Sequence, residues 1–138
     1  MQAADSVEKT NRIGLSMIET IIYPKKKYTV QECTGDITTE ELLKTAQSFF
    51  GGSHTPYVIW DFSLAQMINI SPETIKRLIR IWIKQRARRG GGKTAIIVPV
   101  NLEYSFSKMF ETLRELNKAT FETRVFGSVE DAKQWFFE

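Results

Sequence analysis

The 138-residue sequence contains few of the residues from which metal sites, disulfides and catalytic centres are built. It has one cysteine, Cys33, and one histidine, His54. A single cysteine forms neither an internal disulfide nor a structural zinc site, which favours a reducing compartment. A lone histidine gives little basis for a metal cluster or for nucleophilic catalysis. Because no carboxylate pair suited to acid–base chemistry stands out either, we predict a protein that is not an enzyme and uses no metal or cofactor.

Long apolar runs and a strong net charge are also missing. No apolar stretch approaches the ~20 residues that a membrane-spanning helix needs. The net charge of +3 comes from 19 basic and 16 acidic residues, and this small excess does not favour nucleic-acid binding. The polar start, MQAADSVEKTN, lacks the charged-then-apolar order of a signal peptide. We expect a flexible tail at 1–11, one domain at 12–138 and a cytoplasmic location.

Apolar periodicity predicts a hairpin followed by alternating helices and strands. Apolar residues at most odd positions from Ile13 to Tyr23 indicate a first strand, and YTVQECT resumes after PKKK as the second. The runs YVIWDF and TAIIVPV are typical of strands buried on both faces, and TFETRVF is the last strand. Helical patterns that follow Thr38, Ser71, Asn101 and Ser128 separate and end these strands. The predicted fold is α/β, in the order β-β-α-β-α-β-α-β-α, with a mixed sheet, its last three strands parallel and helices packed on it.

The segment RRGGGKTAIIVP resembles the end of a phosphate-binding loop, since Gly-Lys-Thr closes that motif in many ATPases. A phosphate-binding loop lies between a strand and the N-terminus of the following helix, whose free N–H groups hold the phosphate. Here a helix ends at Arg89, and Lys93 and Thr94 enter a strand. The motif also needs a glycine at position 87, where this chain has Ala87. We therefore predict that the protein binds no nucleotide through this loop.

The long helix at 71–89 has a basic stripe. Lys76, Arg80, Lys84 and Arg88 follow one another at a spacing of four residues. A basic amphipathic helix can bind anionic lipid or nucleic-acid backbones, but a solvated outer face explains the stripe better at a net charge of +3. Ile81 lies outside the main apolar face and is a candidate for covering another helix or a second subunit.

Four segments follow one another along this order of elements: GDITTEEL, YVIWDFS, KTAIIVP and RVFGSVEDAKQWF. Together with the order itself, they resemble the SpoIIAA-like branch of the STAS domains. The resemblance covers residues 12–137. It implies a small mixed sheet with helices on its faces, no enzyme activity, and a function like that of anti-sigma-factor antagonists. Those proteins dock onto a kinase-like anti-sigma factor and are switched by phosphorylation of a serine at the start of a helix.

The resemblance also indicates candidate switch or docking residues. Where the antagonists have Asp-Ser-Ser-Gly, this chain reads NISP from Asn69 to Pro72, and Ser71 matches the modified serine. Asp61, at the end of a buried strand, lies where open α/β sheets place ligands. Local hydrogen bonding offers a simpler role for both residues: Ser71 as a helix cap and Asp61 as an acceptor from the following loop.

A second function follows from the same fold grouping, which includes lipid-carrying domains of the Sec14 type. The alternative is therefore a carrier of a small apolar, lipid-like molecule. Its candidate pocket residues are aromatic or sulfur-containing: Phe106, Met109, Phe110, Phe121, Phe126 and Trp135. The same residues also suit an ordinary core.

Ile81 and Phe137, which we do not expect in the core, lead us to predict a homodimer.

Overall fold

The computed structural model describes residues 17–48, 55–66, 70–85, 92–99, 107–108, 111 and 122–137. Within these ranges the predicted α/β class is confirmed. One sheet of five strands is formed by β1 (Met17–Tyr23), β2 (Tyr28–Asp36), β3 (Tyr57–Gln66), β4 (Lys93–Ile97) and β5 (Glu122–Phe126). Three helices pack on it: α1 (Thr39–Ser48), α2 (Pro72–Gln85) and α3 (Val129–Phe137). The predicted helix at 101–117 lies mostly outside the described residues, although Ser107, Lys108 and Glu111 are helical.

The order of strands across the sheet is the same as their order along the chain. β1 pairs with β2 as an antiparallel hairpin, and β2, β3, β4 and β5 are all parallel. The prediction that the last three strands are parallel is therefore confirmed, and β2 joins them. Because the parallel strands end at one edge of the sheet, α1 and α2 begin at that edge, after β2 and β3 respectively. We call it the carboxyl end, and the opposite edge the amino end.

The two faces of the sheet carry separate core clusters. The first face is covered by α1 and α2, through buried Leu42, Leu43, Ala46 and Leu78, which pack with Trp60 and other strand residues. The second face is covered by α3, through Ala132, Trp135 and Phe136. These three α3 residues are buried. Ile81 packs against the first cluster, so it is in contact with this chain's own core.

Local capping explains where the helices begin. The backbone N–H of Thr38 donates to the Glu41 carboxylate at 3.0 Å, and the N–H of Glu41 donates to the Thr38 hydroxyl at 3.1 Å. This reciprocal pair is a capping box at the start of α1. The Ser128 hydroxyl accepts from the N–H of Asp131 at 3.2 Å and caps α3 in the same way.

In β1 the buried side chains are not those that the apolar alternation emphasised. Ile18 and Ile22 are buried, whereas Met17, Ile21 and Tyr23 are only partly covered on the second face. Ile18 belongs to the first core cluster, so the even positions of β1 face the side of the sheet that carries α1 and α2. Among the described residues, no helix has the length and apolar character needed to cross a membrane.

Candidate functional site

Ser71 caps α2 and remains exposed at the carboxyl end. Its hydroxyl accepts a hydrogen bond from the backbone N–H of Thr74 at 3.2 Å, which is the predicted N-cap geometry. The Thr74 hydroxyl lies 3.2 Å from the same oxygen and is buried. The first turn of a helix has free N–H groups and the positive end of the dipole, so this position favours negative charge.

A chain of hydroxyls connects the beginnings of the two helices on the first face. Thr74 Oγ1 lies 2.9 Å from Thr39 Oγ1, and Thr39 is the first residue of α1. Ser71, Thr74 and Thr39 therefore form a continuous polar contact between α2 and α1. A chemical change at Ser71 therefore takes place within a group of hydroxyls that contacts the N-terminus of α1 as well as that of α2.

Asp61 lies on the other side of the sheet from α2. Its neighbours Trp60 and Phe62 belong to the first core cluster, and Asp61 is the register partner of Ile97 in the second. The Asp61 carboxylate accepts from the Ser63 N–H at 3.0 Å and from the Ser63 hydroxyl at 2.7 Å. These bonds lie where the pairing of β2 with β3 is irregular, so Asp61 stabilises a distortion within β3. The strand continues to Gln66, and Asp61 does not lie at its end as predicted. The structure does not bring Asp61 and Ser71 together, and Asn69 lies outside the described residues.

Two of the candidate pocket residues belong to the second core. The rings of Phe126 and Trp135 are 5.5 Å apart, and Trp135 is buried beside Phe136. The other four, Phe106, Met109, Phe110 and Phe121, lie outside the described residues. The two described candidates thus pack against each other and contribute to the α3 contact with the sheet.

The lysine of the Gly-Lys-Thr segment is bound to a helix C-terminus. Lys93 begins β4, and its ammonium group donates to the carbonyl of Trp135 in α3 at 2.8 Å. A cation there complements the negative end of the helix dipole. Gly92 has a φ of 59°, and a Cβ on it would lie 1.6 Å from the Pro56 carbonyl oxygen. Gly92 and Lys93 therefore have structural roles in joining β4 to β3 and α3.

Cys33 is part of the first core. It is 1% exposed, and burial raises the pKa of its thiol, with the carboxylates of Asp61, Glu41 and Glu32 raising it further. The thiol therefore stays protonated at neutral pH and is a poor nucleophile.

Among the described residues, no group of three or more histidine, cysteine or acidic residues is arranged to hold a metal ion.

A groove that the sequence did not indicate lies at the amino end of the sheet. It is lined by four lysines and three aromatic residues from separate parts of the chain: Lys25, Lys26, Lys27, Tyr28, Tyr57, Lys133 and Phe137. The one sequence signal was the PKKK segment, which we interpreted only as the turn of the hairpin. Phe137, which was not expected in the core, is 56% exposed.

No protein-family model matches the chain, and no curated protein matches it significantly.

Proposed function

We propose that the protein is a non-enzymatic regulatory module that binds another protein through the carboxyl end of its sheet. The observation that carries the proposal is the exposed Ser71 hydroxyl, which caps α2 and is linked through Thr74 to the first residue of α1. A modification of this one oxygen alters the charge and hydrogen bonding of a surface built by two helix N-termini.

Phosphorylation is the change that suits this position. A phosphate adds a charge of roughly −1.5 to −2 and three acceptor oxygens. At a helix N-terminus these oxygens meet free N–H groups, so the modified helix stays folded while its surface becomes anionic. Ser71 is exposed and Thr74 is buried, so a kinase can reach the serine without opening the core.

An exposed apolar residue supports docking at the same end. Leu64 is 76% exposed near the end of β3, past the irregularity that Asp61 and Ser63 stabilise. An exposed leucine in a polar surrounding offers a partner apolar area at little cost to solubility. The resemblance of the chain to SpoIIAA-like STAS domains supports the same kind of function, because those antagonists act by docking.

The experiment compares two serines with the same structural role. Ser71 and Ser128 each cap a helix through an N–H bond of 3.2 Å, and aspartate is a good N-cap at both positions. We expect Ser71→Asp to abolish capture of a protein partner from lysate of the source cells and Ser128→Asp to preserve it, with both melting temperatures close to that of the wild type. Equal capture by the two variants contradicts a switch at Ser71.

The carrier of a small apolar molecule remains the alternative hypothesis. It is checked by native mass spectrometry of the purified protein. A co-purifying lipid-like molecule, present at one per chain and unaffected by Ser71→Asp, would favour the carrier over the docking module.

A further inference from the structure

The groove at the amino end is separated from Ser71 by the length of the parallel strands. One wall is the hairpin turn at 24–27, and the other is α3, with Lys133 at its middle and Phe137 at its end. Tyr28 and Tyr57, the first residues of β2 and β3, are register partners and form the floor. The groove has a volume of about 630 Å³, within the range of small-molecule sites.

The lysine-bearing wall is held by backbone hydrogen bonds. The N–H of Lys26 donates to the Tyr23 carbonyl at 3.1 Å, and the N–H of Lys27 donates to the Pro24 carbonyl at 3.2 Å. The Lys27 carbonyl accepts from the N–H of Tyr57 at 3.2 Å, which fastens the turn to β3. Lys27 has a φ of 66°, a conformation that non-glycine residues seldom adopt. The backbone from which the three consecutive lysines project is therefore fixed relative to the floor.

Three of the four lysines that line the groove keep an unpaired positive charge within the part of the protein that the structure describes. There, Lys26, Lys27 and Lys133 form no ion pair; Lys26 lies over the Tyr23 ring at 5.7 Å and Lys133 over the Tyr28 ring at 5.4 Å. Such cation–π contacts orient the ammonium groups but leave their charge uncompensated. The acidic residues of α3, Glu130 and Asp131, lie in its first turn, three and two residues before Lys133, whereas Phe137 is the last residue of the helix.

Aromatic rings supply the other half of the site. Tyr57 is stacked on Phe136 at 5.0 Å and meets Phe137 edge-on at 5.3 Å. Phe136 is buried and anchors this pair, whereas Phe137 keeps more than half of its surface in water. An exposed ring supported from below is suited to stack with a flat ligand at small entropic cost.

We propose that this groove binds a small aromatic anion, with its flat ring against Tyr57 and Phe137 and its phosphate, sulfonate or carboxylate on the lysines. The ammonium groups attract the charged part, and the rings remove the apolar part from water. Inorganic phosphate uses only the first of these interactions and a neutral aromatic only the second, so each binds more weakly.

The probe is 1-naphthyl phosphate, titrated into the full chain at low salt and followed by its fluorescence. We expect binding at least tenfold tighter than that of 1-naphthol or of inorganic phosphate. Lys26→Gln and Lys133→Gln are each expected to weaken binding about fivefold, the effect of one charge at contact distance in water. Phe137→Ala is expected to weaken it about tenfold through the lost stacking area. Lys44→Gln, at an exposed lysine of α1, is the matched control and leaves binding unchanged.

Three results would overturn the proposal. The first is binding that Lys44→Gln weakens as much as the groove variants do, since that is non-specific attraction to positive charge. The second is groove-dependent sedimentation with phosphatidylserine vesicles without binding of the probe, which assigns the surface to a membrane. The third is groove-dependent binding of an acidic peptide without binding of the probe. Melting temperatures show that the variants are folded, and Ser71→Asp leaves probe binding unchanged whether or not the proposed docking function holds.

Discussion

Ser71 has a structural role that its proposed regulatory role must preserve. The hydroxyl satisfies an N–H of the first turn of α2, so we expect Ser71→Ala to lower the free energy of unfolding by about 1 kcal/mol. Ser128→Ala is expected to cost a similar amount, because Ser128 makes the same bond in α3. Urea unfolding followed by circular dichroism measures both. A Ser71→Ala variant as stable as the wild type would show that this cap contributes nothing to stability in solution, and it would contradict the role of Ser71 as a helix cap.

Lys93 allows the resemblance to a phosphate-binding loop to be tested. Its ammonium group is bound to the Trp135 carbonyl, and the residue begins a strand instead of preceding a helix. We therefore expect isothermal titration with Mg-ATP or Mg-GTP to show no binding that depends on Lys93. Micromolar binding that is abolished by Lys93→Ala and retained by Lys26→Gln would contradict this prediction, since Lys26 belongs to the groove and not to the glycine segment.

Among the helices and strands, those with local signals were predicted best. The capping box of α1 involves residues three apart, so the sequence alone predicts both of its bonds. The buried side of β1 depends on which helices lie above the sheet, and apolar alternation cannot show that. β3 continues to Gln66, four residues past the predicted end, because its pairing with β2 resumes beyond the irregularity and extends the strand. The groove joins three distant segments, so no pattern along the chain reveals it.

A buried polar pair between β1 and β2 gives a test at the level of strand packing. The Thr20 hydroxyl donates to the Gln31 side-chain carbonyl at 2.6 Å, and Gln31 is fully buried. Within the described residues, the amide nitrogen of Gln31 has no hydrogen-bond partner. Thr20→Val also removes the partner of the carbonyl, so we expect a loss of roughly 1–3 kcal/mol in the free energy of unfolding.

The double variant Thr20→Val/Gln31→Met distinguishes the stability contributed by the hydrogen bond from the cost of burying the Gln31 amide. Replacing both polar groups by apolar groups of similar volume removes the unsatisfied amide, so we expect it to recover most of the lost stability. Urea unfolding of the two single variants and the double variant gives the coupling between the positions. A double variant less stable than Thr20→Val would show that the Gln31 amide is satisfied in solution.

For the molecule as a whole, the predicted homodimer now depends on different residues. Ile81 packs against the chain's own core, and Phe137 belongs to the groove, so Leu64 is the exposed apolar residue that a second copy is expected to cover. We predict a dimer in sedimentation velocity at micromolar concentration, with Leu64→Ser shifting the equilibrium towards the monomer. Phe137→Ser is the control and leaves the dimer intact. A wild-type monomer across the whole micromolar range would end this prediction.

The agreement between strand order and chain order has a consequence for synthesis on the ribosome. Each strand that leaves the exit tunnel finds its neighbour already present, so the sheet can be extended stepwise without waiting for a distant partner. The second face is different, because Trp135 and Phe136 of the last helix are made after every strand. Until they emerge, Val30, Ile59 and Ile97 face solvent on the nascent chain. The period between the completion of β5 and the release of α3 is therefore the time at which this protein has most need of a chaperone.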